Sequence, residues 1–571
     1  MPFSNAETFM MKSSIALIFS TYAIAAQCFH PFQKPLGSCD PSEAYSSGGP
    51  FTTKFDEQVQ TLLSHFHVSG VSIAVIDGND TFAKAYGYSA LPDDKTTVET
   101  LYYCASTTKS FTAASVLKLI ESSANHSKPL TLKTKIQSLI RDEFVLTDPY
   151  ATSHVTLEDA LSHRTGMPRH DFSYGGPNAT LESLVRSLRY LPMSAELRER
   201  WEYCNMMFCM VSYVVEKLSG MWLGDFLREH IWAPLGMHST FFSLADAKRA
   251  QANGGPKLAV GYSWVNDTAT FAPLPYVDSP ILSGAGQIIS NVLDYAKYLR
   301  AMITMNDTIL TQKSFVELRT PRAFSNPEYQ LKGRIWTGPE MYGLGWQMAD
   351  YRGHEVFNHG GAMPGFGVEM MYIPTLKNGV GFAIMGNTEG GSNAVALVLM
   401  AHLIDEMLGI PEDERFDIVG VFDALLKQRD DELRPDNARK RAYPDAPPPN
   451  ASLPLPLPLE NLTGEYWNDG YRNLTVRLEK ASSTHLKWTT AEKVLRVYVM
   501  DRMWRYTLTF EHVSNNYFLA WGRSTDAPIT GAAVPAKFEL GVDGKVHRLG
   551  IQYEASMKEL IWFDKKASTD G

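Results

Sequence analysis

Cysteine is scarce, with five residues in 571. Cys28, Cys39, Cys104, Cys204 and Cys209 form no Cys/His cluster at zinc-like spacing. In an oxidising compartment the odd count leaves at least one thiol free or paired between chains, and Cys28 with Cys39 is the easiest local pair. Surplus positive charge is also missing. The formal net charge is −9 and the pI near 6.0, so no basic surface invites nucleic acid. Long apolar runs are absent except for one near the start, which excludes a multi-span membrane protein. No Walker-type or dinucleotide-binding glycine pattern occurs, and no repeat at solenoid period. What is present is a globular balance of 44% hydrophobic, 11% aromatic and 20% charged residues, long enough for two folded units.

The early apolar run reads as an export signal over residues 1–26. Lys12 precedes Ile15-Ala16-Leu17-Ile18-Phe19, and small residues follow at Ala23 to Ala26. The core is too short to span a bilayer of about 30 Å as a helix, the alternative being an uncleaved N-terminal anchor. Eight Asn-x-Ser/Thr sequons, at Asn79, Asn125, Asn178, Asn266, Asn306, Asn450, Asn461 and Asn473, agree with a secreted eukaryotic glycoprotein.

After an extension at 27–52, residues 53–426 alternate β-rich runs with amphipathic patterns. Val71 to Ile76, Val368 to Ile373 and Gly379 to Met385 read as strands, the first ended by the turn Asp77-Gly78-Asn79. Phe111 to Glu121, Leu181 to Leu188, Met206 to Leu218 and Val292 to Met305 read as helices. Strands near both ends with helices between predict an α/β unit whose sheet is completed by distant segments. Residues 427–459 begin charge-dense and continue into Pro444 to Leu459, with Pro-Pro-Pro and repeated Leu-Pro. That composition predicts a semi-rigid, extended linker. Residues 460–571 carry short alternating runs such as Leu474 to Leu478, Tyr506 to Phe510 and Val546 to Tyr553, which predict a separate all-β barrel or sandwich.

Three short patterns carry chemistry. Ser106-Thr107-Thr108-Lys109 follows the β-prone Leu101 to Cys104, so Ser106 is expected at a strand-to-helix junction with Lys109 on the same helical face. The base can take the serine proton, and the positive helix end favours both the oxyanion and a lowered lysine pKa. A second copy, Ser115 to Lys118, lies in the helix interior and reads as core. Tyr203-Cys204-Asn205 projects a phenol and a carboxamide from one side of an extended segment. A phenolate beside a lysine ammonium could relay the serine proton to a leaving group. His359-Gly360-Gly361-Ala362 suits an edge strand approached by substrate, with an N–H to pair with that of Ser106.

In this order and spacing, Ser-x-x-Lys, Tyr-x-Asn and His-Gly-Gly resemble the serine β-lactamase and penicillin-binding-protein superfamily. The likeness is to the branch of class C β-lactamases, D-Ala-D-Ala carboxypeptidases, D-aminopeptidases and related esterases. Ala160 to Pro168, Ser283 to Gly286 through Leu299, Tyr342 to Trp346, His359 to Gly367 and Gly386-Asn387 match further family segments, covering most of residues 55–408. Leu462 to Tyr466 and Gly470-Tyr471 resemble the lipocalin-like domain of several secreted relatives.

The resemblance implies an antiparallel sheet flanked by helices plus an all-helical part, then a smaller all-β barrel-like domain. It implies Ser106 as acylated nucleophile, Lys109 as base, Tyr203 in proton transfer, and Asn205, His359 and Gly361 in substrate binding. The N–H groups of Ser106 and Ala362 would form the oxyanion hole. His163 and Arg164 read as structural, and His170 and Asp171 as loop residues near the cleft. His359 replaces the family's usual lysine, which argues against efficient β-lactam turnover. If His359 contacts an anionic substrate group, titration near its ordinary pKa of about 6.5 would raise KM for that substrate between about pH 5.5 and about 8.

No cofactor is implied. The expected partner is a small-molecule or peptide acyl substrate, with no nucleic acid and no membrane once the signal is removed. Three functions fit: a secreted serine hydrolase acting on an ester or amide, an acyltransferase of the same fold, or a non-catalytic binding protein. The β domain could cap the cleft, bind a surface or support oligomers.

Overall fold

The computed structural model describes residues 49–278, 280–326, 336–482, 491–527 and 530–567. The export-signal segment, Cys28 and Cys39 lie outside these residues. Nine strands form one sheet: β1 (Gly70–Asp77), β2 (Asp80–Ala90), β3 (Asp94–Lys95), β4 (Ala323–Asn326), β5 (Glu340–Tyr342), β6 (Gln347–Tyr351), β7 (His354–Met363), β8 (Phe366–Ile373) and β9 (Val380–Gly386). Their order is β3-β2-β1-β9-β8-β7-β6-β5-β4. The Asp77-Gly78-Asn79 turn folds β2 back on β1, with Asp77 opposite Asp80. On its other edge β1 pairs antiparallel with β9, from Val71 opposite Gly386 to Asp77 opposite Val380. Distant segments therefore complete the sheet, as the sequence pattern predicts.

The β-branched run of β1 explains the layering. Val71, Ile73 and Val75 enter one apolar core, whereas Ala74 and Ile76 enter another. A strand buried on both faces needs cover on both sides. One face carries α1 (Thr53–His65); the opposite face carries α2 (Thr108–Ser122), α3 (Asn205–Ser219) and α4 (Val292–Thr304). Beside α1 lie α5 (Gly391–Leu408) and the first turns of α6 (Ile418–Glu432). Helix α5 is apolar enough to cross a membrane by composition, yet 72% of it is buried in this core, which accounts for its apolar character all round.

The charge-dense stretch is not extended. Helix α6 runs to Glu432, and α7 (Pro435–Ala442) begins with a proline whose fixed φ suits a first helical turn. Ile418 and Phe422 anchor α6 in the core below the sheet, and Ala438 packs α7 against Trp521 and Ala533. Few apolar contacts per turn sufficed to order a segment whose composition reads as solvated.

Eight further strands close an antiparallel barrel in sequence order: β10 (Gly464–Asn468), β11 (Arg472–Lys480), β12 (Lys493–Val499), β13 (Tyr506–Ser514), β14 (Tyr517–Ser524), β15 (Thr530–Leu540), β16 (Val546–Ile551) and β17 (Ile561–Lys565). Tyr466, Phe510, Phe518 and Phe538 pack together in it. Closure leaves no open sheet edge. Of the sequons, Asn79, Asn125, Asn178, Asn266, Asn450 and Asn461 are exposed, while Asn306 and Asn473 are half-buried. Cys104, Cys204 and Cys209 are buried free thiols.

Candidate active site

The short strand Tyr102–Tyr103 pairs with Ile289–Ser290 and leads into Ala105, held at φ +45°. One 3₁₀ turn, Ala105–Thr107, then opens into α2. From Leu101 to Ser110 every side chain is buried except that of Ser106. The left-handed residue therefore displays one hydroxyl at the start of a helix, as the junction in the sequence predicts. The second Ser/Lys copy is structural: Ser115 donates to the Phe111 carbonyl and Lys118 to that of Ile309.

Lys109 is fully buried, with Nζ 3.0 Å from Ser106 Oγ and donating to the Ala285 carbonyl at 2.7 Å. That carbonyl is delivered by Ser283-Gly284-Ala285. A Cβ on Gly284 would stand 2.4 Å from Ser212 Oγ and 2.5 Å from Thr112 Oγ1, so only glycine lets the segment approach α2 and α3. Burial pushes the Lys109 amine down to about 7, and the Arg169 cation acts in the same direction. A lysine lowered from 10.5 becomes a neutral base as pH rises through about 7. We expect kcat/KM to climb along an acid limb centred near that pH. A profile flat from about pH 5.5 to about 9 would remove Lys109 from the base role.

Tyr203 is within hydrogen-bond reach of Ser106, and Lys109 Nζ stands 4.9 Å from its ring centroid. Burial pushes the phenol well above its ordinary range. The phenolate considered from sequence is thus replaced by a neutral Tyr203 hydroxyl beside a neutral Lys109 amine. His163 supports this segment as a structural residue: it sits at φ +58°, its Nδ1 accepts from the Cys204 N–H at 3.1 Å, and its ring lies 4.3 Å from that of Tyr203.

Sequence reasoning passed over Arg169 and read Asp171 as loop. The Arg169 guanidinium lies 5.0 Å from the Tyr203 ring centroid and donates to Asp171 Oδ2 at 2.7 Å. Asp171 Oδ1 accepts from Asn205 Nδ2 at 3.2 Å. This bond takes one of the two Asn205 amide hydrogens and fixes the orientation of the carboxamide. An Arg-x-Asp pair ahead of Tyr-x-Asn is the signal that could have found these residues.

Strand β7 crosses directly behind Ser106. A Cβ on Gly361 would meet the Cys104 carbonyl at 2.3 Å, so glycine is what brings the Gly361–Ala362 backbone against residues 104 and 105. The Gly361 carbonyl accepts from Asn393 Nδ2 at 3.1 Å. His359 is 2% exposed, and both ring nitrogens are engaged. Its Nδ1 lies 2.7 Å from the Gly360 carbonyl and its Nε2 3.0 Å from the Tyr342 hydroxyl. A carbonyl only accepts, so Nδ1 carries the hydrogen and Nε2 accepts from Tyr342. Burial, reinforced by Lys109, pushes the imidazole down to about 3. The expected titration between pH 5.5 and 8 is therefore corrected: His359 is neutral there and fixes the strand rather than supplying a conditional charge.

Ser106, Arg169, Asp171, Tyr203, Asn205 and His359 line a cavity of about 2100 Å³, walled by both the β-lactamase-like unit and the barrel, the latter through Met500, Met503, Trp504 and Ser556. Pockets that take drug-sized ligands have volumes of roughly 300–1,000 Å³, so this space is larger than one such ligand needs.

Residues 55–403 match the Beta-lactamase family, and residues 448–565 match a family described as a domain of unknown function (DUF3471). The chain belongs to the β-lactamase and penicillin-binding-protein superfamily, with a β-barrel following the family domain, and it is a hydrolase acting on a small-molecule or peptide substrate. It is 37% identical over 535 residues to an unguisins hydrolase of Aspergillus campestris, covering 92% of this chain and 94% of that one. An unguisins hydrolase of Aspergillus violaceofuscus is 36% identical, with 88% of each chain covered. The octameric penicillin-binding-protein homologue from Pyrococcus abyssi shares the fold, at TM-score 0.51 and 20% identity over 90% of this chain and 99% of that one.

Proposed function

We propose that the protein is a secreted serine hydrolase that cleaves an ester or amide through an acyl-enzyme on Ser106. The observation that carries this reading is Ser106 Oγ standing 3.0 Å from a buried lysine amine lowered to about 7. Ser106 Oγ attacks the substrate carbonyl carbon while its proton passes to Lys109 Nζ. The backbone N–H groups of Ser106 and Ala362 hold the oxyanion, and Asn205 and the Gly361 backbone hold the flanking substrate groups. Tyr203 hands a proton to the departing nitrogen or oxygen as the carbonyl re-forms and takes one back from the Lys109 ammonium, which returns both groups to their neutral state. Water then attacks the acyl group, its proton goes to Lys109, and Ser106 leaves with its own proton restored.

We assign the hydrolase unit to residues 53–426 and the barrel to 460–571, joined by 427–459; the family matches at 55–403 and 448–565 support two units, the second match starting inside the assigned linker. Eight consecutive up-and-down strands support the lipocalin-like reading of the barrel. The apolar leader after Lys12 and the six exposed sequons support secretion. The names of the two Aspergillus relatives make unguisins the first substrate to test, and the size of the cavity agrees with a bulky one. Full-length protein should add one water to an unguisin, read as product mass, faster than it hydrolyses penicillin. Turnover of penicillin with none of unguisins would contradict this substrate assignment.

A further inference from the structure

Residues 169–171 face two ways. Arg169 and Asp171 reach the Tyr203 ring and the Asn205 amide, whereas His170 between them, at φ +47° and fully buried, turns into the barrel. There its Nδ1 lies 2.7 Å from the Tyr471 hydroxyl, which lies 3.3 Å from Glu554 Oε1. Its Nε2 lies 2.9 Å from the Pro192 carbonyl. We propose that Tyr471 and Glu554 are positioning residues for catalysis: through His170 they hold the Arg169–Asp171 turn, and with it Tyr203 and Asn205. This inference rests on the Ser106 acyl-enzyme reading and adds that the barrel is part of the catalytic apparatus rather than only a wall of the cavity.

The hydrogens order themselves along this chain. The Pro192 carbonyl can only accept, so His170 carries its hydrogen on Nε2 and accepts at Nδ1. Tyr471 has one hydroxyl hydrogen, which then goes to His170. The Tyr471 oxygen is left as an acceptor facing Glu554, a contact satisfied when the carboxyl is neutral and donates. Glu554 is 5% exposed. Burial, with the Asp171 charge adding to it, pushes the carboxyl up to about 8, against the opposing effects of Arg169, the Tyr471 hydroxyl and the His170 backbone N–H. When Glu554 ionises, Tyr471 turns its hydrogen to the carboxylate and His170 Nδ1 loses its donor. The turn between barrel and active site then loses one of its buried hydrogen bonds. Phe172 continues the same contact, its ring 5.0 Å from that of Tyr506 and 5.7 Å from that of Tyr553.

The test uses full-length Tyr471→Phe and Glu554→Gln, assayed across pH on an ester or amide that Ser106 turns over. Misplacing catalytic groups by about an ångström costs up to about a hundredfold, so Tyr471→Phe should lose about tenfold or more in kcat at pH 7 with its melting temperature nearly unchanged. Glu554→Gln, whose amide donates to Tyr471 at every pH, should stay within about threefold of the parent at pH 7 and lose the parent's alkaline limb near pH 8. Parental kcat in Tyr471→Phe, or an alkaline limb that persists in Glu554→Gln, would overturn the proposal. Turnover that survives Ser106→Ala would instead overturn the acyl-enzyme reading, so the two failures are distinguishable.

Discussion

Replacing Ser106 with alanine should lower kcat on the order of 10⁴- to 10⁶-fold while leaving the fold intact. The size of the effect follows from covalent catalysis: without Oγ no acyl-enzyme forms, and what remains is water attack assisted by the oxyanion donors and binding. Little stability should be lost, because Ser106 is the one side chain between Leu101 and Ser110 that is not buried. Its loss leaves Lys109 its bond to the Ala285 carbonyl. Kinetics on a chromogenic ester, with circular dichroism beside it, checks both halves. A variant retaining more than about a tenth of parental kcat would assign the chemistry to another nucleophile.

Lys109→Met should be nearly as damaging, by about 10³-fold or more, because it keeps the volume of the side chain and removes the base. The contrast with Tyr203→Phe makes the test specific. An activated ester has a leaving group that departs without a proton, whereas an amide nitrogen needs one. Lys109→Met should therefore disable both substrate types, and Tyr203→Phe should harm amides far more than activated esters. Equal loss of both in Tyr203→Phe would place the phenol in activating the Ser106 hydroxyl instead. Removing the lysine also abolishes the acid limb near pH 7, since the amine lowered to about 7 is the group that titrates there.

The serine–lysine pair was legible because it is local. Residues three apart on a helix meet whatever surrounds them, and the β-prone run before Ser106 marked the junction. The sheet was legible for a similar reason: β-branched runs such as Val71 to Ile76 announce strands, and turn residues bound them. The Arg169–Asp171 turn was not legible, because its meaning depends on a left-handed His170 and on chains some thirty residues apart meeting at Tyr203 and Asn205. The state of His359 was hidden likewise, since a His-Gly-Gly string carries no record of the burial and the Tyr342 hydroxyl that hold the ring neutral. The Ala285 carbonyl that positions Lys109 is a backbone atom, so no side-chain motif names it. In α6 and α7, charge density concealed the few apolar positions, Ile418, Phe422 and Ala438, that order the helices against neighbouring cores.

The central claim is an activated Ser106, and the most direct measurement is the intact mass of deglycosylated protein after exposure to a serine-reactive fluorophosphonate, run beside Ser106→Ala. One adduct per chain on the parent, formed faster as pH rises through about 7 and absent from Ser106→Ala, is the expected result. No adduct on folded parent protein, or one that persists in Ser106→Ala, would contradict the account.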